Sequence, residues 1–477
     1  MSCGLFSADG TAVGRDVLTI ERIPEMTTMP DKLSSEAYHN GLQAELIKSD
    51  PEIHKLIAGE FERLQDTIQL LAAENQCSRA VLAALGSIVQ NKTSEGFPEA
   101  RLHGGSGVMD NIEQLAIERA KQAFRAKYAN VQPHSGTTAN QIVITALLEP
   151  GDKILSMATS HGGHFSHGSV DSVTAKFFKI ESYCVDRDSF LLDYDGILKQ
   201  ARRYGPKLII CGASAYPRTI DFAKFRQIAD DVGALLLADI SHLSALVMAG
   251  AHPSPIDYAH VTTTSTYKPG GPRGGLILSG KEYNLKVRAG GKDVVLWRQI
   301  EKTTFPGIQG TPYFNNIAAK AVFFKEAMSE EYKTRQFKVV ENAKRLAENL
   351  KQKGHDCLTG GTDNHLMLVN IADISKHLTG FVAQKCLEDC GIVVDRMLLP
   401  YDDKPGVTSG IRLGTPIVTK NGMGAAEMDQ ITNIVDAVLQ GVEVSSQTEY
   451  RINARLKSEV RNEAAELCRR FHRKSQR

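Results

Sequence analysis

ALLLADISH (residues 234–242) and HVTTTSTYKPGGPRGG (residues 260–275) decide how this chain folds. The first is an apolar run that ends on an acid, Asp239. The second is a β-branched run that ends at Lys268 and passes into a Gly/Pro-rich loop, where backbone can approach a ligand closely. Runs of this length and composition between turn residues read as buried parallel strands. KILSMA (153–158), AKFFKI (175–180) and KLIICGAS (207–214) repeat the pattern. Helical periodicity over Tyr194–Arg203 and Ile220–Val232 separates them. Strands alternating with helices predict an α/β fold with a mixed, mostly parallel sheet.

Working outward, Asp110–Ala126 predicts a long amphipathic helix, and Pro51–Leu71 another, with Ile53, Leu56, Ile57, Phe61, Leu64 and Ile68 on its apolar positions. A long helical pattern over Asn316–Lys353 is followed by the short strands HLMLVNIA (365–372) and GIRLGTP (410–416), which predict a smaller α+β domain. The expected organisation is a loosely ordered arm (1–41), a large domain (42–320) and a small C-terminal domain (321–477). The tail from Glu449 is a basic amphipathic helix with Leu456, Val460, Leu467 and Phe471 near one face, read as packing on its own domain.

Composition narrows the function. The 477 residues carry 56 Lys+Arg against 55 Asp+Glu, a net charge of +1 that disfavours nucleic acid or an anionic membrane as the main partner. No apolar run is long enough to span a bilayer. The N-terminus lacks the pattern of a secretory or transit signal. Eight cysteines scattered over this length form no dense disulfide framework. A soluble, cytoplasmic enzyme is the reading that remains.

Four features carry chemistry. Ser135-Gly136-Thr137 opens a helix after YANVQPH, and backbone N–H groups at such a positive end suit a phosphate, although ordinary capping uses the same residues. Asp239, at the end of an apolar strand, needs a partner: a turn it caps, or a protonated ring nitrogen. Lys268 is either a solvated turn lysine or a shielded Schiff-base amine. His161, His164 and His167 crowd one Gly-rich loop without a nearby Cys or acid, which favours an imidazole stacked on a flat ring over a metal. Together, a phosphate cradle, a buried acid and a strand-end lysine are what pyridoxal 5'-phosphate requires.

The motifs LLAAEN (70–75), NKTSEGFPEARLHGG (91–105), EQLAIERAK (113–121), SHGGHFSHG (160–168), TTTSTYKPGGPRGGLIL (262–278), GGTDNHL (360–366) and VTSGIRLGTP (407–416) resemble the serine hydroxymethyltransferase family from about residue 42 to the end. That resemblance implies a fold-type-I pyridoxal-phosphate architecture and reversible Cα–Cβ retro-aldol cleavage of serine, with tetrahydrofolate as co-substrate. It further implies a homodimer or homotetramer whose active sites are shared between subunits. By the same resemblance Lys268 is the Schiff-base lysine, His164 stacks on the ring and Asp239 pairs with the ring nitrogen. His242 and Ser214 flank the phenolic oxygen, and Ser135, Gly136 and Thr137 form the phosphate loop. Gln309, Gly310 and Thr311 resemble a segment lent by a neighbour, Arg412 grips the substrate carboxylate, and Glu95 manages protons at the substrate hydroxyl.

The chain departs from the family pattern around the substrate side chain and folate. Leu102 and His103 replace two adjacent tyrosines, which leaves His103 to supply the catalytic hydrogen bond. Thr93, Ala73, Thr159, Met397 and Tyr267 are further replacements. The loop Lys268–Arg273 is one residue short, and an insertion containing Trp297 falls within Lys281–Glu301. These substitutions leave open a folate-independent aldolase or transaldolase acting on another β-hydroxy amino acid, or a non-catalytic cofactor-binding descendant.

Overall fold

Seven strands form the central sheet: β1 (Tyr128–Asn130), β2 (Lys153–Met157), β3 (Lys179–Tyr183), β4 (Leu208–Cys211), β5 (Leu235–Asp239), β6 (Val261–Ser265) and β7 (Gly275–Ser279). The computed structural model describes residues 41–375, 377–402 and 407–475. The expected arm falls almost wholly outside the described residues. The described residues up to Ile57 form one unit and those from Ala58 onward another.

The spatial order is β1-β7-β6-β5-β4-β2-β3. β2 to β6 run parallel, while β7 is antiparallel to both β6 and β1. The predicted mixed, mostly parallel sheet is therefore present. Alternation along the strands explains why it is buried on both faces. Leu155, Ile209, Leu236 and Leu276 join one apolar cluster, and Ile154, Leu208, Leu237 and Ile277 join the other. Each buried Leu or Ile contributes about 1.5–3 kcal/mol, so neither face can be turned to water. Two helices fix the site: α1 (Gly107–Phe124), and α2 (Gly136–Leu147), which is capped by Ser135 Oγ accepting from Thr138 N at 3.0 Å.

The expected strand at AKFFKI is corrected. Ser172 Oγ caps a helical turn over Val173–Phe177, and β3 begins only at Lys179. The pattern over Asn316–Lys353 is two helices, α3 (Phe314–Ala327) and α4 (Glu330–Gln352), broken where Ser329 caps the second. The helix expected through Leu71 ends at Asp66, and Ile68–Gln69 pairs in parallel with Ile392–Val393.

A second sheet of β8 (Asp356–Cys357), β9 (Leu366–Asn370), β10 (Asp395–Met397) and β11 (Gly410–Gly414) is antiparallel, in the order β8-β9-β11-β10. Its core takes in Leu346 and Leu350 of α4, Val435 and Val438 of α5 (Ala425–Gly441), and Val460 and Leu467 of α6 (Ala454–Ser475). The basic tail helix thus buries its apolar face on its own body. Ile68 and Leu70 join this second core too. No helix among the described residues is long and apolar enough to cross a membrane.

Candidate active site

The functional side chains gather at the C-terminal ends of the parallel strands, where open α/β sheets bind ligands. Asp239 ends β5 and is 6% exposed. Its Oδ1 accepts from Ser241 N (2.9 Å) and Ser241 Oγ (2.6 Å). Its Oδ2 accepts from Asn140 Nδ2 (2.8 Å), and His167 Nε2 lies 2.9 Å away. Burial alone would raise the carboxyl pKa, but the hydrogen bonds from His167 and Asn140 outweigh it and hold the group well below the usual carboxylate range. A permanently ionised acid of this kind suits a protonated ring nitrogen.

A chain of contacts leads from Asp239 to the lysine. Ser241 Oγ accepts from Ser265 N at 2.9 Å, and Lys268 Nζ donates to Ser265 Oγ at 3.3 Å. Lys268 sits in the turn after β6, its Nζ 4.7 Å from the centre of the Tyr267 ring, while Arg273 covers the same ring at 4.2 Å. Ser135 and Gly136 close the cradle. A Cβ at Gly136 would come within 3.2–3.3 Å of Ser265 Cβ, Ser241 Oγ and Ser265 N, so any side chain here would have to push these neighbours back by a few tenths of an ångström. The first N–H groups of α2, at Gly136 and Thr137, have no acceptor inside the helix. They fit a phosphate.

His164 Nδ1 accepts from Ser166 N at 3.2 Å and lies 2.8 Å from Ser166 Oγ, which orients the ring. Burial lowers its pKa, leaving a neutral, stackable imidazole. His164, His167 and Asp239 lie within metal-ligand reach of one another. The sequence had shown no acid near these histidines; the fold brings one from β5. Here His167 is spent on fixing Asp239. His242 stacks against His365, with ring centres 5.6 Å apart, and burial beside the Lys268 and Arg412 charges keeps it neutral. Both histidines, with Lys268, Ala72, Asn75 and Gln336, line a cleft.

Arg412 projects from β11 and is 7% exposed. Its Nε and Nη2 donate to Asp395 Oδ2 at 3.0 and 2.6 Å, and its Nη1 to the Ser214 carbonyl at 2.5 Å. One N–H then remains on each terminal nitrogen, the parallel pair that grips a carboxylate. Ser214 therefore meets Arg412 through its carbonyl.

Glu95 and His103 form a separate cluster. His103 Nδ1 accepts from Glu95 N at 3.3 Å, and Gly310 lies against Glu95, where an added Cβ would be 3.1 Å from Oε1. Gln309 turns to its own chain, accepting from His134 N (3.0 Å) and donating to the Gln132 carbonyl (3.2 Å). No hydrogen bond, ion pair or ring contact among the described residues joins Glu95 or His103 to Lys268, Asp239, His164 or Arg412. Sequence reasoning missed Asn140, Ser241, Ser265, His365 and Asp395. Only His167, inside the His-rich loop, carried a local signal.

Comparison with known proteins gives the family. The family model for serine hydroxymethyltransferase matches residues 46–435. A serine hydroxymethyltransferase of Methanosarcina barkeri is 46% identical over 426 residues, covering 89% of this chain and 98% of that protein. One from Nostoc punctiforme is 47% identical over 428 residues, covering 89% and 95%. The chain belongs to the serine hydroxymethyltransferase family of pyridoxal-phosphate-dependent transferases, which use tetrahydrofolate in one-carbon metabolism.

Proposed function

We propose that the chain cleaves serine to glycine through the residues brought together above. The observation that carries this reading is the line Asp239–Ser241–Ser265–Lys268 across the ends of β5 and β6. Ser135, Gly136 and Thr137 would hold the cofactor phosphate, Asp239 the ring nitrogen, His164 the ring face and Lys268 the aldehyde carbon. His242 lies beside Lys268, where the phenolic oxygen would fall. When bound, the cofactor supplies an electron sink for the breaking Cα–Cβ bond.

The chain's own groups do the rest. Arg412 orients the substrate by its carboxylate, with Asp395 holding the guanidinium plane. Glu95 moves the proton at the β-hydroxyl oxygen. His103, with Nδ1 engaged by the Glu95 amide, presents Nε2 as the remaining hydrogen-bonding atom. The family match supports the folate-using reaction over a folate-independent aldolase, and leaves the non-catalytic reading without support. The test is glycine formation from L-serine with and without tetrahydrofolate. Folate-dependent formation that vanishes in Lys268→Ala is the expected result; equal rates without folate would overturn the reading.

Among the described residues no hydrogen bond, ion pair or ring contact joins Glu95 or His103 to the Lys268 cluster, which supports a site completed by a second copy in a homodimer or homotetramer. The flanking segments expose Ile88, Leu102 and Val108, an apolar surface that such pairing would cover. Mixing Lys268→Ala with Glu95→Gln tests it, because hybrid sites regain one intact set only if residues are shared. The free cysteines among the described residues favour a reducing, cytoplasmic setting.

A further inference from the structure

Lys320 lies in the middle of α3, is 1% exposed, and among the described residues has no carboxylate in salt-bridge contact. Its Nζ donates instead to three carbonyls: Val131 at 2.6 Å, Gly275 at 2.8 Å and Pro133 at 3.2 Å. A lysine taken wholly out of water without a direct ion pair is costly, so the fold must gain from what it holds.

The three carbonyls belong to two stretches of backbone that meet beneath the phosphate cradle. Val131 and Pro133 follow β1 and lead into Ser135, the cap of α2. Gly275 opens β7 and abuts the cradle directly, since a Cβ there would fall 2.1 Å from the Ser135 carbonyl oxygen. The β1–β7 ladder ends at Asn130 and Ile277. Beyond it, Gly275 N donates to Pro133 O at 2.8 Å, and Lys320 ties the strands together. Gln309, upstream of the same helix, holds His134 N and Gln132 O on the adjoining peptide units. Gly274 leaves room for this lysine, because a Cβ there would lie 2.5 Å from Lys320 Cε.

We propose that Lys320 is a positioning residue for the cofactor phosphate, its ammonium group pinning residues 131–133 and Gly275 so that the Ser135–Thr137 N–H groups converge. The proposal rests on the reading of Ser135–Thr137 as the phosphate cradle. Burial lowers the Lys320 pKa against the opposing pull of the Glu113 charge, which marks how far the group has been taken from water. Three N–H donors in fixed directions match three carbonyls, a geometry that a hydrophobic side chain of equal length cannot supply.

The test compares the affinities of the apo-protein for pyridoxal 5'-phosphate and for pyridoxal, which lacks the phosphate. Wild type should prefer the phosphorylated form, and Ser135→Ala should reduce that preference. Lys320→Met should reduce it by about tenfold, the scale of a lost charge-assisted hydrogen bond, with pyridoxal affinity within about twofold of wild type. Amide exchange at residues 134–138 should also quicken. If wild type shows no preference, the cradle reading itself fails. If wild type and Ser135→Ala behave as stated while Lys320→Met keeps the full preference, the positioning role fails, even if its Tm falls. Lys320→Gln, which keeps a two-hydrogen donor, gives the same comparison should the methionine variant not fold.

Discussion

Asp239 and Glu95 are both carboxylates at the candidate site, and their surroundings are opposite. Asp239 is buried, with each oxygen engaged by two groups drawn from α2, the His-rich loop and the turn after β5. Glu95 is half-buried on a short hairpin, and its carboxylate has no hydrogen-bond partner among the described residues. The first is built to stay ionised and still. The second is left uncommitted, which suits the proton transfer proposed for it. On the proposed roles, preorganisation and proton mobility sit in different parts of the chain, and one can be perturbed without the other.

Removing Asp239 tests the rigid half most severely. Asp239→Ala strands His167 and Asn140 without their acceptor, and should cost about 3–5 kcal/mol of stability in urea unfolding as well as cofactor binding. Glu95→Gln is the counterpart. It should lower kcat by about 10²–10⁴-fold with Tm within about 1 °C of wild type, because no fold contact is lost. A large fall in Tm for Glu95→Gln would erase the distinction.

The pH dependence of stability sharpens the contrast from the buried side. His260, whose Nδ1 accepts from Leu236 N at 2.9 Å, has its pKa lowered by burial to about 4, against 6.5 unfolded. Between these values the unfolded chain binds a proton that the folded chain refuses, so stability is present above pH 6.5 and is lost as pH falls toward 4. The loss amounts to about 3 kcal/mol. His260→Gln should flatten that acid limb in denaturant titrations. Smallest is Arg412→Lys, which keeps the charge but loses the fork. Serine KM should rise about 10–100-fold with little change in Tm, since Asp395 retains a cationic partner.

Much of the rigid half is legible from local pattern. Asp239 and Lys268 end apolar or β-branched runs, and the parallel pairing expected of such runs puts their C-terminal ends at one edge of the sheet. Ser135 is readable as a helix cap for the same reason: its signal lies within a few residues. Lys320 was invisible because a lysine in an amphipathic helix normally faces water, and only the convergence of β1, β7 and α3 supplies its three carbonyls. Asp395 was equally silent, becoming Arg412's partner through the β10–β11 register. The AKFFKI error has a local cause, a Ser172 cap outweighing strand propensity.

The sequence by itself determined the α/β alternation, the strand-end acid and lysine, and the phosphate-type helix start, because each depends on neighbours along the chain. Only the tertiary structure decided which of these groups touch. It spent His167 on Asp239, left two N–H groups of Arg412 free for a carboxylate, and set Glu95 apart from Lys268. Those outcomes depend on contacts between residues far apart in the chain, which exist only once the sheet has formed and its connections have brought them to one edge.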